Sequence, residues 1–301
     1  MRNAGQDSSG SAGGVAEMKL ALFGSRGYLG AQLDYAFQAK SVSVTGFDLP
    51  ECDVTSSAFW DGFCPAQYNS ILFFSGLTGT EKSFVEAEKF LEVNEKGLLN
   101  LLRKLAPLGE RAPKIVFPST RLVYKGREAP LKEDDEREAK TVYAANKLAC
   151  EHLLEAYHAR YGIPYAVTRI CVPYGGLIRK DYSYGTIGLF IKQAESGGPI
   201  TLYGDGEIRR TFTHVADICE AVAFLAEADA QGVFNVGGVT CSLGEVAELI
   251  ARTKGVEVKY VPWPDVALRL ESGSTFFDST RLDKAMGKTA YSDIRKLVRE
   301  I

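Results

Sequence analysis

The chain has 301 residues, 46% of them hydrophobic and 24% charged, with a formal net charge of −3. That length buries a full core and holds one large domain or two modest ones. The charge excludes the basic footprint of a nucleic-acid binder, and no run approaches the ~18 uninterrupted apolar residues of a membrane-spanning helix, so neither partner is expected.

Residues 1–17 are rich in Gly, Ser and Ala and lack the apolar stretch of a signal peptide, so a disordered extension is expected. Met18 to Phe23 is an apolar run of strand length, leading into Gly24-Ser25-Arg26-Gly27-Tyr28-Leu29-Gly30. Leu33, Ala36 and Phe37 follow at helical spacing. Glycines spaced G-x-x-G-x-x-G between a strand and a helix allow a tight turn, close approach of backbone to a pyrophosphate, and close packing of helix on strand. The helix N-terminus adds free N–H groups and partial positive charge. Val42 to Phe47 forms a second strand with Asp48 at its end. That is about 20 residues past the turn, where a carboxylate binds the adenosine ribose hydroxyls and repels a 2′-phosphate. No arginine follows closely, so the pattern selects NAD over NADP. The alternative for Asp48 is a turn residue, since Asp-Leu-Pro is also turn chemistry.

Ser70 to Ser75 is the next strand and enters Gly76-Leu77-Thr78-Gly79. One helix is expected from about Lys82 to Leu105, with Val93, Leu98, Leu101 and Leu102 on one side. Lys114 to Phe117 is a strand ending in Pro118-Ser119-Thr120; a charged loop then leads to a helix from Tyr143 to about Tyr161, and Ile163 to Arg169 is another strand. Beyond it the chain loosens at Tyr174 to Gly176, Asp181 to Gly188 and Ser196 to Pro199. The expected division is a cofactor-binding unit over 18–171 and a mainly substrate-binding unit over 172–301, with about 212–240 returning to the first sheet through a strand at Gly232 to Gly237. The fold class is α/β, a Rossmann-type doubly wound parallel sheet with a smaller C-terminal α/β substrate domain.

Tyr143 and Lys147 stand four residues apart, on one helix face. A free phenol titrates near ~10 and is a poor base at neutral pH. An adjacent ammonium favours the phenolate, which suits removal of an alcohol proton while hydride leaves the same carbon. The other reading is an exposed aromatic and a solvated charge. Thr120, at the carboxyl end of a parallel strand, and the glycine turn favour catalysis. Thr120 also suits a helix cap. The six cysteines form no C-x-x-C and the three histidines share no metal-ligand spacing, so reduced thiols, a cytoplasmic setting and no metal are expected.

The motifs, in chain order, resemble those of the extended short-chain dehydrogenases/reductases that act on nucleotide sugars, the NAD-dependent epimerase/dehydratase group. They are Gly24-x-x-Gly27-x-x-Gly30, Asp48, Asp53-Val54, Asn94-x-x-Gly97-x-x-Asn100, Ser119-Thr120-x-x-Val123-Tyr124, Tyr143-x-x-x-Lys147, Arg169 with Pro173-Tyr174-Gly175, and Gly204-Asp205-Gly206 running to Arg210, His214-Val215 and Asp217-Ile218. The resemblance implies that Tyr143 is the catalytic base and acid, that Lys147 holds the nicotinamide ribose and tunes the phenol, and that Thr120 bonds the reacting sugar oxygen. It implies an NAD site made by Gly24, Arg26, Gly27, Tyr28, Leu29 and Gly30, by Asp48, by Asp53 and Val54 at the adenine, and by Phe74, Ser75 and Gly76 over ribose and phosphates, with Asn94 in support. Arg210 is similar to the arginine that meets the substrate diphosphate, with Arg209 sharing the task and Arg121 on the substrate side. Relatives pair the 82–105 and 143–161 helices in a dimer, which implies a homodimer.

Departures from the pattern narrow the reaction. Where dehydratases carry an acidic pair after the catalytic threonine, this chain has Arg121 and Leu122, which cannot protonate a leaving hydroxyl. Val172 replaces a usual asparagine that contacts the diphosphate, and Lys125 a usual glycine. The resemblance then implies an NAD-dependent nucleotide-sugar epimerase acting at C4. A 4-ketoreductase using the same residues is the first alternative. A non-catalytic sensor is the second, disfavoured because both Tyr143 and Lys147 are present.

Overall fold

The computed structural model describes residues 18–178 and 185–297. The extension at 1–17 and part of the loose stretch, 181–184, lie outside the described residues. The strands in chain order are β1 (Lys19–Phe23), β2 (Ser43–Phe47), β3 (Ser70–Phe73), β4 (Lys114–Thr120), β5 (Tyr165–Ile170), β6 (Val172–Tyr174), β7 (Ile200–Tyr203), β8 (Arg209–His214), β9 (Gly232–Asn235), β10 (Val239–Ser242) and β11 (Val258–Val261). The helices used below are α1 (Tyr28–Gln38), α2 (Ser57–Gly62), α3 (Thr80–Val85), α4 (Ala87–Phe90), α5 (Gly97–Leu105), α6 (Val142–Tyr161), α7 (Gly185–Glu195), α8 (Val215–Glu227) and α9 (Leu243–Lys254).

Among the described residues the main sheet is parallel throughout and runs β2-β1-β3-β4-β5-β9. Strand alternation sends successive side chains to opposite faces. Leu20, Leu22, Leu72, Val116 and Ala166 meet Leu33 and Phe37 of α1 and Ile218, Val222 and Leu225 of α8. Ala21, Phe23, Ile71, Phe73, Ile115 and Phe117 meet Leu98, Leu101 and Leu102 of α5 and Leu154 of α6. Both faces are covered, the condition under which a parallel sheet is stable. Strand β9 pairs with β5 in register Ala166↔Gly232, so the chain returns to the first sheet after its excursion.

The strand order differs in one detail from the full dinucleotide-binding order. The dinucleotide-binding order 3-2-1-4-5-6 has a strand outside the second one. Here β2 is the edge among the described residues, and the inner order 2-1-3-4-5 is that of the other common doubly wound sheet. From Asp48 the chain turns at once, with the Cys52 N–H on the Asp48 carbonyl at 2.8 Å, and enters α2. Trp60 of α2 donates to the Val54 carbonyl at 2.8 Å and stacks on Phe23 at 5.4 Å. Packed aromatics cover the flank.

The helix expected over 82–105 is broken into α3, α4, a π turn at Leu91–Lys96, and α5. The π turn carries buried Asn94, whose amide clamps both backbone groups of Leu77, at 2.7 and 3.1 Å. Such turns commonly serve functional sites. The stretch expected to be loose holds α7. Its Ile187, Phe190 and Ile191 join Tyr174, Phe212, Val246 and Ile250 in a second core, under the small sheets β10-β8-β6 and β11-β7. Only Cys171 separates β5 from β6, so the chain passes from the main sheet to the small one beside the end of β4.

One row of the sheet is polar and buried. Ser119 of β4 and Asn235 of β9 lie in register on either side of Arg169 of β5. Glu151 of α6 takes Arg169 Nε at 3.0 Å and Nη2 at 2.5 Å, and its carboxylate also accepts from the Ser119 hydroxyl. Arg169 Nη1 donates to the Tyr124 hydroxyl at 2.6 Å, and Tyr124 donates to Asn235 Oδ1 at 2.7 Å. Arg169 is 0% exposed and Glu151 5%. Removing one partner of such a pair strands the other charge; removing both does not. Arg169→Met should therefore cost about 3–5 kcal/mol in urea unfolding, and the double variant Arg169→Met/Glu151→Met should recover most of that loss. A double variant no more stable than the single would count against the stranded charge as the cause.

Candidate active site

The glycine turn sits where β1 meets β3 at their carboxyl ends. Gly24 has φ +78, and a Cβ on it would lie 2.7 Å from the Phe74 and Ser75 backbone. A Cβ on Gly30 would lie 1.9 Å from the Gly24 carbonyl oxygen. Each position therefore needs glycine for space, and Gly24 also for its left-handed φ. Gly27 caps α1 without a side-chain bond, leaving the first N–H groups of the helix directed at the turn. The Tyr28 hydroxyl donates to the Gly175 carbonyl at 2.7 Å and ties this turn to the segment after β6.

A cavity of about 560 Å³ runs from this turn. Gly24, Gly27, Tyr28, Leu29, Gly30, Phe74 and Gly76 line it together with Thr120, Arg121, Tyr143 and Lys147. The structure thus brings the glycine turn, the β3 loop and the expected catalytic trio to one space. Thr141 starts α6 by accepting from the Ala144 N–H at 3.0 Å, which fixes the turn bearing Tyr143. One helical turn on, Lys147 is 5% exposed, donates to the Pro118 carbonyl at 2.7 Å and lies over Phe117 at 4.4 Å and the Tyr143 ring at 6.0 Å. Burial pushes its amine down to about 8. Thr120 caps the short turn after β4, accepting from the Leu122 N–H at 3.3 Å.

Other expected residues lie outside the lining. Asp48 accepts from the Arg26 N–H at 2.7 Å, and the Arg26 guanidinium turns outward to the Leu49 carbonyl and to Glu51 at 3.2 Å. Asp53 holds Thr55 through its N–H and hydroxyl at 2.9 and 2.7 Å. The Val54 side chain is buried; a Cβ on Gly97 would lie 2.8 Å from it. Asn94 acts through Leu77, and Gly76 is packed between Asn94 and Lys147.

Arg209 and Arg210 do not share a site. Neighbours on a strand point to opposite faces, so Arg209 is exposed over Phe276 at 5.1 Å, whereas Arg210 is 1% exposed. Arg210 is bonded to Glu271 at 2.7 Å and to the Gly273 carbonyl at 2.6 Å, and does not line the cavity. His214, half-buried, caps α8 by accepting from the Ala216 N–H at 3.2 Å, a structural role. The sequence reading missed Glu151. Its signal was present: Tyr143, Lys147 and Glu151 form one stripe at i, i+4 and i+8 on α6, and a carboxylate on a stripe that turns inward needs a partner.

Comparison with known proteins fits this arrangement. The model of the NAD dependent epimerase/dehydratase family matches residues 20–237. The chain is 29% identical over 194 residues to a UDP-glucuronate 4-epimerase of Thermodesulfobacterium geofontis, covering 64% of this chain and 58% of that protein. It is 30% identical over 245 residues to a dTDP-L-rhamnose 4-epimerase of Burkholderia thailandensis, covering 69% and 68%. Among solved structures it resembles the UDP-glucose 4-epimerase of Thermus thermophilus in complex with NAD, with a TM-score of 0.81, 23% identity and coverage of 94% and 97%. It also resembles Thermotoga maritima UDP-glucose 4-epimerase with UDP-glucose, with a TM-score of 0.83, 20% identity and coverage of 94% and 96%. At those identities the structural likeness is one of fold. The family match extends from β1 through β9 and so across the whole main sheet, and the chain belongs to the NAD-dependent epimerase/dehydratase family.

Proposed function

We propose that this chain is an NAD-dependent nucleotide-sugar epimerase acting at C4. The observation that carries the reading is one cavity lined both by the glycine turn and by Thr120, Tyr143 and Lys147. The turn fits a dinucleotide: the cradle at Gly24 is one a Cβ would fill, and the uncapped start of α1 offers N–H groups to a pyrophosphate. Gly24, Gly27, Leu29, Gly30, Phe74 and Gly76 would hold it, with Asp48 near the adenosine ribose. Bound there, NAD supplies an acceptor that takes hydride from a sugar carbon and can return it.

The chain's own residues then handle the proton. Tyr143, as phenolate, takes the proton of the C4 hydroxyl, and the Lys147 ammonium one turn along α6 favours that charge. Thr120 bonds the same oxygen from the end of β4. On return of hydride to the other face of the C4 ketone, Tyr143 gives the proton back. Arg121 and Leu122 offer no acid for a leaving hydroxyl, which argues against dehydration. Two of the curated relatives are named as 4-epimerases, on two different nucleotide sugars, and support the same reaction. A homodimer is part of the reading, with the exposed Phe84, Val85 and Leu91 around α3 and α4 as its apolar contact.

Incubation with NAD and nucleotide hexoses should give the C4 isomer with no added reductant. Net consumption of NADH with a 4-keto sugar, and no isomer, would move the assignment to a ketoreductase. Tyr143→Phe should lower the isomerisation rate roughly a hundred- to ten-thousand-fold, while NAD affinity measured by calorimetry stays within a few-fold. An unchanged rate would remove Tyr143 from the mechanism.

Lys147 also makes a prediction for the unliganded protein. Its ordinary value of 10.5 falls to about 8 through burial. Between those values the unfolded chain holds a proton that the folded chain has released, so stability rises with pH across the window. Urea unfolding of the wild type should show that rise relative to Lys147→Met, and a difference constant with pH would mean that the amine is not titrating there.

A further inference from the structure

The first turns of α1 carry two polar groups that the proton chemistry does not use. Tyr28, half-buried at the glycine turn, and Gln32, 7% exposed, stand at i and i+4 and so share one helix face. Both reach the chain just past β6. The Tyr28 hydroxyl donates to the Gly175 carbonyl at 2.7 Å. Gln32 Oε1 accepts from the Leu177 N–H at 2.5 Å and from the Ile178 N–H at 3.3 Å. Beyond Tyr174 the chain has left its pairing with β8, and its backbone groups need other partners. Two side chains of α1 supply them. Gly175 is also hemmed in by His214: its φ is +82, and a Cβ there would lie 2.4 Å from His214 Nε2. Leu177 packs on the core formed by the main sheet with α1 and α8.

We propose that Tyr28 and Gln32 are positioning residues: they clamp residues 175–178 to α1 and thereby fix the wall that encloses the sugar while its ketone turns. The inference rests on the reading of the cavity as an epimerase site. Val172 and Pro173, before the clamped stretch, and Gly185 and Thr186, after it, line the cavity. The clamp therefore acts between two lining segments of one stretch of chain. Tyr28 itself lines the cavity and is the first residue of the helix whose N-terminus faces the glycine turn. The wall is thus referenced to the helix proposed to hold the pyrophosphate, and not to the small sheet alone. Return of hydride needs the ketone held close and in line with the donor. A wall free to shift lets the ketone leave first. The product is then the 4-keto sugar, with its hydride left on the cofactor and its proton on Tyr143.

Amide hydrogen exchange on the unliganded protein and kinetics on the NAD-loaded protein test this together. Gln32→Met should speed exchange at the Leu177 and Ile178 amides roughly ten-fold, the upper scale of one lost hydrogen bond. Gln32→Glu, which keeps an acceptor oxygen for both amides, should restore their protection. Tyr28→Phe and Gln32→Met should each raise KM for a nucleotide hexose roughly two- to ten-fold, with NAD affinity by calorimetry held within a few-fold. The double variant Tyr28→Phe/Gln32→Met should release 4-keto sugar into the medium and build up the near-ultraviolet absorbance of reduced nicotinamide, which the wild type does not. Unchanged exchange in Gln32→Met would remove the clamp. An equal fall in NAD affinity, kcat and unfolding stability, with no keto sugar released, would make both residues structural only and overturn the proposal. A double variant with the KM of the wild type and the isomer as sole product would overturn it while leaving the epimerase reading in place. Failure of the wild type to isomerise any nucleotide sugar would instead sink that underlying reading, and this inference with it.

Discussion

The pairing of Glu151 with Arg169 fixes the strand and helix that lie beside Thr120 and Tyr143. Arg169 lies on β5, Glu151 on α6, and Ser119, which donates to the same carboxylate, is the residue before Thr120 on β4. Thr120 and Tyr143 come from different elements, so their relative position depends on how α6 seats on the sheet. Apolar contacts tolerate sliding; a forked guanidinium on a carboxylate does not. The same arginine reaches Tyr124, and through it Asn235 on β9, so the returning strand is fixed by the same hub. Burial pushes the Tyr124 phenol up to about 12, so it stays neutral and can both accept from Arg169 and donate to Asn235.

A second constraint acts on Lys147. A buried ammonium is normally met by a carboxylate. Here the nearest fixed partner is a carbonyl, that of Pro118, with the face of Phe117 below. Glu151, one turn further on α6, is already bonded to Arg169 and Ser119. The charge of Lys147 is therefore left free to act on a neighbour rather than being neutralised in place. That is the electrostatic condition under which a phenol one turn away gains acidity. The ion pair that fixes α6 thus also keeps a carboxylate from quenching the lysine.

The sheet and the outline of this site were legible in the sequence because they rest on local pattern. Short apolar runs followed by helical periodicity gave β1 through β5, and β9 was visible as a late strand. The glycine turn was legible because sterics forbid any other residue at Gly24 and Gly30. What escaped depends on neighbours distant in the chain. The break between α3 and α5 exists because Asn94 must reach Leu77, and helical periodicity carries no trace of that contact. Helix α7 was hidden because its glycines lower helix propensity, and packing of Ile187, Phe190 and Ile191 against the small sheets outweighs them. Arg209 and Arg210 are adjacent in sequence, yet the alternation of β8 sends them to opposite faces, one exposed and one buried.

The cavity lining is built in two different ways, and that difference limits where specificity can reside. The part proposed for the cofactor is backbone: glycines whose neighbours leave no room for a Cβ, and a helix start with no side-chain cap. Backbone geometry cannot be altered one side chain at a time, so this end is shared by any member of the fold that keeps the turn. The part proposed for the substrate is side chain: Arg121 in place of an acid and Val172 in place of an amide. Each departs from the family pattern without moving a strand. Where the surrounding frame is rigid and both faces of the sheet are packed, a change of charge beside Thr120 is felt by the substrate and not absorbed by movement of the main chain. On the proposed function, a preference among sugars would therefore reside in the few lining side chains at the ends of β4 and β6, while the proposed proton chemistry resides in α6.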